Sequence, residues 1–262
     1  MRTTRTTVGR IRRTNPTLTI GAVALLVGAS GSHAQEPLQV TSPDGLTVVT
    51  VQGSADGLFY SVEREGRKVI LPSRLGFEFR DAPDLRDGLE ITGSERGDVD
   101  EVWEQPWGES QFVVDRHNEL RASIAETGGP GRSFAVVFRV FDDGVGFRYE
   151  FPEGSGLGEF AITDELTEFH LADDPRAWWI PANDPTHRYE LLYRSSPMST
   201  MPEVHTPLTL ETLDGLYLVI HEADLVDYAG MNLTSSWERR LSVTLPAWAD
   251  GVKVYGQTPF VT

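Results

Sequence analysis

The chain has 262 residues, no cysteine and a formal net charge of −16. The missing cysteine excludes disulfides, thiolate metal sites and cysteine nucleophiles. The acidic balance repels nucleic acid and anionic lipid and suits neutral or cationic partners and divalent cations.

The first 34 residues stand apart. Arg2, Arg5, Arg10, Arg12 and Arg13 occur there without an acid, and Leu18–Ser30 is apolar or small. Ser32-His33-Ala34 then precedes Gln35-Glu36-Pro37. Basic, then apolar, then small is the pattern of a signal peptide over 1–34 and predicts export to the periplasm or the exterior. The apolar run is too short to cross a bilayer comfortably, so no membrane span is expected in the mature chain, 35–262. Without its five arginines, 18 basic residues stand against 39 acidic ones, a net charge of −21.

The mature chain reads as strands in order. Val40–Val51 is β-branched around the turn Ser42-Pro43-Asp44-Gly45. Leu58–Arg64 and Lys68–Leu71 follow around Glu65-Gly66, giving a three-stranded antiparallel meander. Leu75–Arg80 alternates apolar and polar residues, the period of a half-buried strand. Leu89–Val102 predicts a strand pair, and Trp103–Glu109 an aromatic loop that holds Trp107. Gln111–Asp115, Asn118–Ile124, Ser133–Phe141 and Val145–Phe151 read as strands, the last two closed into a hairpin by Asp142-Asp143-Gly144. Ile162–Ala172 alternates and reads as one strand.

Trp178–Tyr193 is the densest stretch: two adjacent tryptophans, Pro181, Pro185, Asn183-Asp184, His187 and Tyr189-Glu190-x-x-Tyr193. Prolines lack a backbone donor and fix φ, so an aromatic-rich loop is predicted, carrying Tyr189 and Glu190 to a strand or sheet rim. Leu208–Glu211 and Leu216–Glu222 flank the turn Leu213-Asp214-Gly215. Tyr228–Leu233, Leu241–Leu245 and Val252–Tyr255 complete the chain. Pro259-Phe260-Val261-Thr262 reads as a connection into a following domain. Short strands separated by Gly, Asp or Pro, roughly 14 to 18 of them, predict one all-β domain, a large two-sheet antiparallel β-sandwich. No fixed-period repeat points to a propeller.

No catalytic set is legible. A glycoside hydrolase needs two carboxyl groups across the scissile bond, and no pair among the 39 acids is singled out. Gly-x-Ser-x-Gly is missing, and no helix follows Glu153-Gly154-Ser155-Gly156 to hold a phosphate. His221-Glu222 lacks the second histidine of a zinc helix. Asp142-Asp143-Gly144 and Asp173-Asp174 lack the calcium-loop pattern.

An ordered set of short motifs carries a resemblance over nearly all of the mature chain. It comprises Pro106-Trp107-Gly108-Glu109, Asn118-Glu119-Leu120, Phe138–Phe151, Trp178-Trp179, Tyr189-Glu190-x-x-Tyr193, Thr206–Glu211, Asp214–Tyr217, His221-Glu222-Ala223 and Asp227–Met231. In these the chain resembles the N-terminal domain of glycoside hydrolase family 97, a family of α-glucosidases and α-galactosidases. His117 departs from it, standing where a tyrosine is expected. The resemblance implies a galactose-mutarotase-like super-sandwich ahead of a (β/α)8 barrel that carries the catalytic carboxylates. It implies a calcium ion, held mainly by barrel glutamates with one glutamate from the sandwich. By motif position that role falls to Glu190, with Glu222 as second choice. The implied substrate is an α-linked oligosaccharide, with Trp178, Trp179 or Trp107 near the sugar or the domain seam. One carboxylate gives calcium one or two of its six to eight oxygens, so this chain alone is expected to bind it weakly. The chain alone is expected to be a non-catalytic accessory domain. The alternatives are a free-standing carbohydrate-binding module and a mutarotase-like sugar epimerase. A face made to meet a barrel predicts exposed apolar side chains on the aromatic loops and the C-terminal segment.

Overall fold

A computed structural model describes residues 36–182 and 189–262. The signal segment and residues 183–188 of the proline-rich stretch, His187 among them, lie outside the described residues. Twenty strands occur among those described. The chain begins with β1 (Leu38–Thr41), β2 (Thr47–Ser54), β3 (Gly57–Arg64), β4 (Arg67–Leu75) and β5 (Phe77–Phe79). Two long strands follow, β6 (Leu89–Glu104) and β7 (Phe112–Glu126), then β8 (Ser133–Phe141), β9 (Val145–Phe151), β10 (Glu159–Glu165) and β11 (Glu168–Leu171). The middle of the chain gives β12 (Arg176–Trp179), β13 (Arg194–Pro197), β14 (Val204–His205), β15 (Leu208–Glu211) and β16 (Tyr217–Ile220). It closes with β17 (Asn232–Ser235), β18 (Arg240–Thr244), β19 (Val254–Gln257) and β20 (Phe260–Val261). No helix among the described residues is long and apolar enough to cross a membrane.

The fold is the antiparallel β-sandwich that the strand pattern predicts. Its division into sheets is different. One sheet of 13 strands runs β14-β17-β18-β11-β4-β3-β2-β6-β7-β8-β9-β20, with β1 beside β2. Two smaller sheets, β19-β10-β5 and β13-β12-β15-β16, complete the domain. The long sheet doubles over and supplies both faces of the sandwich. β3 and β8 are four places apart in strand order, about 19 Å along a flat sheet. Yet the rings of Tyr60 and Phe138 are centred 5.8 Å apart. The corner lies between β2 and β6, which share the single pair Ser54↔Leu89. Gly53 occupies it, and a Cβ there would stand 2.6 Å from the Leu89 carbonyl oxygen. The two backbones approach because a side chain is missing.

Alternation along the strands fills the space between the faces. Phe77, Phe134, Phe138 and Phe151 are fully buried. Each buried side chain of this size contributes about 1.5–3 kcal/mol relative to exposure. Phe77 stands edge-on to Tyr149 and Phe151, at 4.6 and 5.2 Å between centroids. His117 is buried beside Phe141, with Nδ1 2.5 Å from Asp115 Oδ1.

Several local expectations need correction. Gln111–Asp115 and Asn118–Ile124 belong to one strand, β7, and Phe260–Val261 joins the main sheet as β20 beside β9. Leu89–Val102 is one strand, not two, and Trp103 still belongs to it, so the aromatic loop shrinks to residues 105–111. Beyond Ile91 almost all of β6 is exposed, so no buried face imposes alternation there. Ile162–Ala172 is broken into β10 and β11, which pair with different neighbours. Trp178 and Trp179 belong to a strand, β12, that is interior to its sheet. Pro181 follows that strand and ends it, which is where a residue without a ladder donor is tolerated.

Candidate functional site

The site is assembled where β12 ends. His205 N–H donates to the Ile180 carbonyl at 2.9 Å, and Ala182 N–H to the Glu203 carbonyl at 3.0 Å. These bonds lay the chain after Trp179 along β14. The chain returns at Tyr189, whose hydroxyl donates to the Thr206 carbonyl at 3.1 Å. Its ring is centred 5.3 Å from that of His205. Leu191 N–H bonds back to the Tyr189 carbonyl at 2.8 Å and turns the chain tightly around Glu190. Glu190 is exposed, and among the described residues it has no hydrogen bond or ion pair. Leu192 and Tyr193 beside it are also exposed.

Polar contacts tie this rim to the segment that carries Glu222. The Thr206 hydroxyl lies 3.3 Å from Glu222 Oε2 and 3.2 Å from the Met231 carbonyl. Met231 N–H donates to Glu222 Oε1. Both Glu222 oxygens therefore already accept from the protein, and a metal would compete with those bonds. Glu203 accepts from Asn232 Nδ2 at 3.1 Å. Asn232 Oδ1 lies 3.1 Å from His205 Nδ1, which assigns the proton to Nδ1. His205 Nε2 is buried and has no partner among the described residues. The structure thus links Glu190 and Glu222 through Tyr189 and Thr206 and, among the described residues, leaves Glu190 as the carboxylate without a partner.

A hard cation prefers six to eight oxygens. Among the described residues no group of three or more His, Asp or Glu side chains is arranged to hold one. Glu190, exposed and without a partner among the described residues, could give such a cation one or two of these oxygens.

The three tryptophans separate. Trp179 is buried, its indole N–H donates to Ser196 Oγ at 3.1 Å, and the Arg194 guanidinium lies over its ring. Burial leaves it little surface for a ligand. Trp178, one residue earlier, faces outward with its ring nearly parallel to that of Tyr217. Trp107 is 82% exposed at the tip of the β6–β7 hairpin. No described ring contact or hydrogen bond joins it to the rim.

The sequence reading missed Glu165. The Tyr149 hydroxyl is 2.6 Å from Thr167 Oγ1, Thr167 donates to Glu165 Oε1 at 2.6 Å, and Tyr228 donates to Glu165 Oε2 at 2.6 Å. The residue is partly exposed at its surface, but its carboxylate is enclosed. Burial pushes its pKa up, Asp164 and Glu222 add to this, and the two hydroxyl donors offset only part. This network pins Tyr228, and with it the loop before Met231, to β10. The one sequence signal was Tyr228 itself, inside Asp227–Met231.

The doubled antiparallel sandwich is the fold of a sandwich domain found in glycoside hydrolases. The chain belongs to the glycosyl-hydrolase 97 N-terminal family, whose model matches residues 40–262. It is 32% identical over 224 residues to a probable retaining alpha-galactosidase of Streptomyces bingchenggensis, covering 82% of this chain and 34% of the relative. It is 23% identical over 218 residues to a retaining alpha-galactosidase of Bacteroides thetaiotaomicron, covering 78% and 31%. A glycoside hydrolase family 97 enzyme from Pseudoalteromonas sp. superposes with a TM-score of 0.83 at 39% identity, over 86% of this chain and 34% of that one. Structures of that enzyme with panose and with acarbose superpose at 0.81. The chain thus spans about a third of the length of the relatives it matches.

Proposed function

We propose that this chain is the non-catalytic sandwich domain of an exported, calcium-dependent α-glycosidase. It supplies one wall and one carboxylate, Glu190, to an active site that a (β/α)8 barrel of the same polypeptide completes. The observation that carries this reading is Glu190 itself: exposed, without a protein partner among the described residues, on a turn anchored by Tyr189. The turn is held by the Tyr189 hydroxyl on the Thr206 carbonyl. Coverage of one third of each relative leaves room for the barrel. The substrate class, an α-linked oligosaccharide, rests on the alpha-galactosidase relatives and on the panose and acarbose complexes of the Pseudoalteromonas enzyme. Export rests on the leader pattern over 1–34.

When bound, calcium would fix and neutralise oxygens around the reacting sugar. Glu190 would hold it from the sandwich side, one or two oxygens at most. Glu222 would act one step back, keeping Thr206 and Met231 in place under Tyr189. The exposed Tyr193 would present apolar surface toward the substrate side. The bond-breaking acids are assigned to the barrel, so this chain alone should release no p-nitrophenol from p-nitrophenyl α-glucoside or α-galactoside. Turnover that disappears when an acid of this chain is replaced would overturn the reading.

A further inference from the structure

We propose that the outer face of the β13-β12-β15-β16 sheet is a saccharide-binding platform built on Trp178 and Tyr217. It needs neither calcium nor a barrel, and so stands apart from the role proposed for Glu190.

Register puts the platform together. Trp178 pairs with Thr209, and Thr209 with Val219; Arg176 pairs with Glu211, and Glu211 with Tyr217. All six lie on one face. The residues between them, Ala177, Leu208 and Leu210, are completely buried, so that face points outward. The rings of Trp178 and Tyr217 are centred 6.5 Å apart with 25° between their planes. That separation is at the long end of the range for aromatic pairs. Tyr217 is 62% exposed. Trp178 is partly exposed, and the two rings, two strands apart on one face, form an apolar terrace, where a lone exposed aromatic would need no explanation.

The charges around it are arranged for hydroxyl groups. Directly opposed charges on neighbouring strands normally close on each other. Arg176 and Glu211 are so opposed, yet they part. Arg176 Nη1 turns to Ser195 Oγ at 3.3 Å, and Glu211 Oε1 accepts from the Tyr217 hydroxyl at 2.9 Å. Glu211 Oε2 has no partner among the described residues. The terrace is therefore edged by one free acceptor and one group with spare donors. A pyranose matches this: its C–H face is slightly positive and suits the negative face of an aromatic ring. Its edge hydroxyls both donate and accept. Two neighbouring rings suit two consecutive sugar units. One cation and one anion give the face no net charge to draw a phosphate, and the chain's −16 repels polyanions.

The test is titration of the full chain, in the presence of a chelator, with maltotriose and with melibiose. Binding is read by saturation-transfer NMR and tryptophan fluorescence. At least one sugar should bind, and Trp178→Ala and Tyr217→Ala should each weaken it about tenfold or more. Tyr217→Phe, which keeps the ring and releases Glu211, should weaken it by a smaller factor. Trp237→Ala, a substitution at an exposed turn, should change nothing. Circular dichroism checks folding; should Trp178→Ala misfold, the two variants on the edge strand β16 decide. Absence of binding by both sugars overturns the platform, as does undiminished binding by the two alanine variants. Loss of binding in Glu190→Gln with the platform variants unaffected would place the sugar at the rim and also overturn it.

Discussion

Arg132 and Glu126 show what a single buried pair does in this domain. Arg132 is 2% exposed and meets Glu126 through Nη2 at 2.6 Å and Nε at 2.9 Å, while its backbone N–H adds a third bond at 2.9 Å. Removing the carboxylate would strand a buried guanidinium, a change that costs about 3–5 kcal/mol. Glu126→Ala should therefore lower the urea midpoint strongly, and an unchanged midpoint would refute the pairing. Burial pushes the Glu126 pKa up, but the bonds from Arg132 outweigh it and hold it below the ordinary value. Its contribution is present above the ordinary glutamate range and is lost as pH falls through the lowered value. Glu165 has the opposite sign. Its folded pKa lies above the unfolded one, so its contribution is full below the ordinary glutamate range and is lost as pH rises through the raised value. Glu165→Gln should flatten that part of the melting-temperature profile; a profile identical to that of the unaltered chain would contradict the enclosed carboxylate. Glu190 was legible in the sequence as a motif position. Glu165 was not, because its partners Tyr149, Thr167 and Tyr228 come from three separate segments.

At the scale of elements, hairpins and turns read well and long strands badly. Asp142-Asp143-Gly144 and Leu213-Asp214-Gly215 close the hairpins expected of them, with Val140 opposite Val145 and Glu211 opposite Tyr217. The β6–β7 arm did not read as one unit. Its pairing runs from Leu89↔Glu126 to Glu104↔Phe112, but only the base enters the core. Val102, Trp103, Trp107, Phe112 and Val114 are exposed toward its tip. Trp107→Ala should accordingly change stability by no more than about 0.5 kcal/mol; a larger loss in thermal melts would mean that the tip is packed. The corner glycine should behave otherwise. Gly53→Ala forces a Cβ against the Leu89 carbonyl and should cost about 1–3 kcal/mol as overpacking. A midpoint equal to that of the unaltered chain would show that the corner can shift freely. Prolines misled in the opposite direction: Pro181 marks the end of β12, and the two tryptophans before it are strand residues.

For the whole molecule, strand spacing was enough for an all-β sandwich and could not show that one sheet makes both faces. That arrangement depends on a single residue pair, Ser54↔Leu89, and on pairings between β4 and β11 far apart in the chain. The apolar surface expected on the aromatic loops and the C-terminal segment is present. Trp248, Tyr255 and Val261 are exposed near the end of the chain, and Trp248, Tyr255, Phe160, Tyr228 and Phe260 line an open cleft of about 950 Å³. Such a surface would suit the seam with the barrel proposed above. The proposed division of labour puts one calcium ligand on this side of the seam. Its most direct test replaces the matching segment of the Pseudoalteromonas enzyme with this chain and follows α-glycoside hydrolysis against calcium concentration. Glu190→Gln in that chimaera should raise the half-saturating calcium concentration about tenfold or more, with activity recovered at high calcium. An unchanged calcium curve would contradict the assignment.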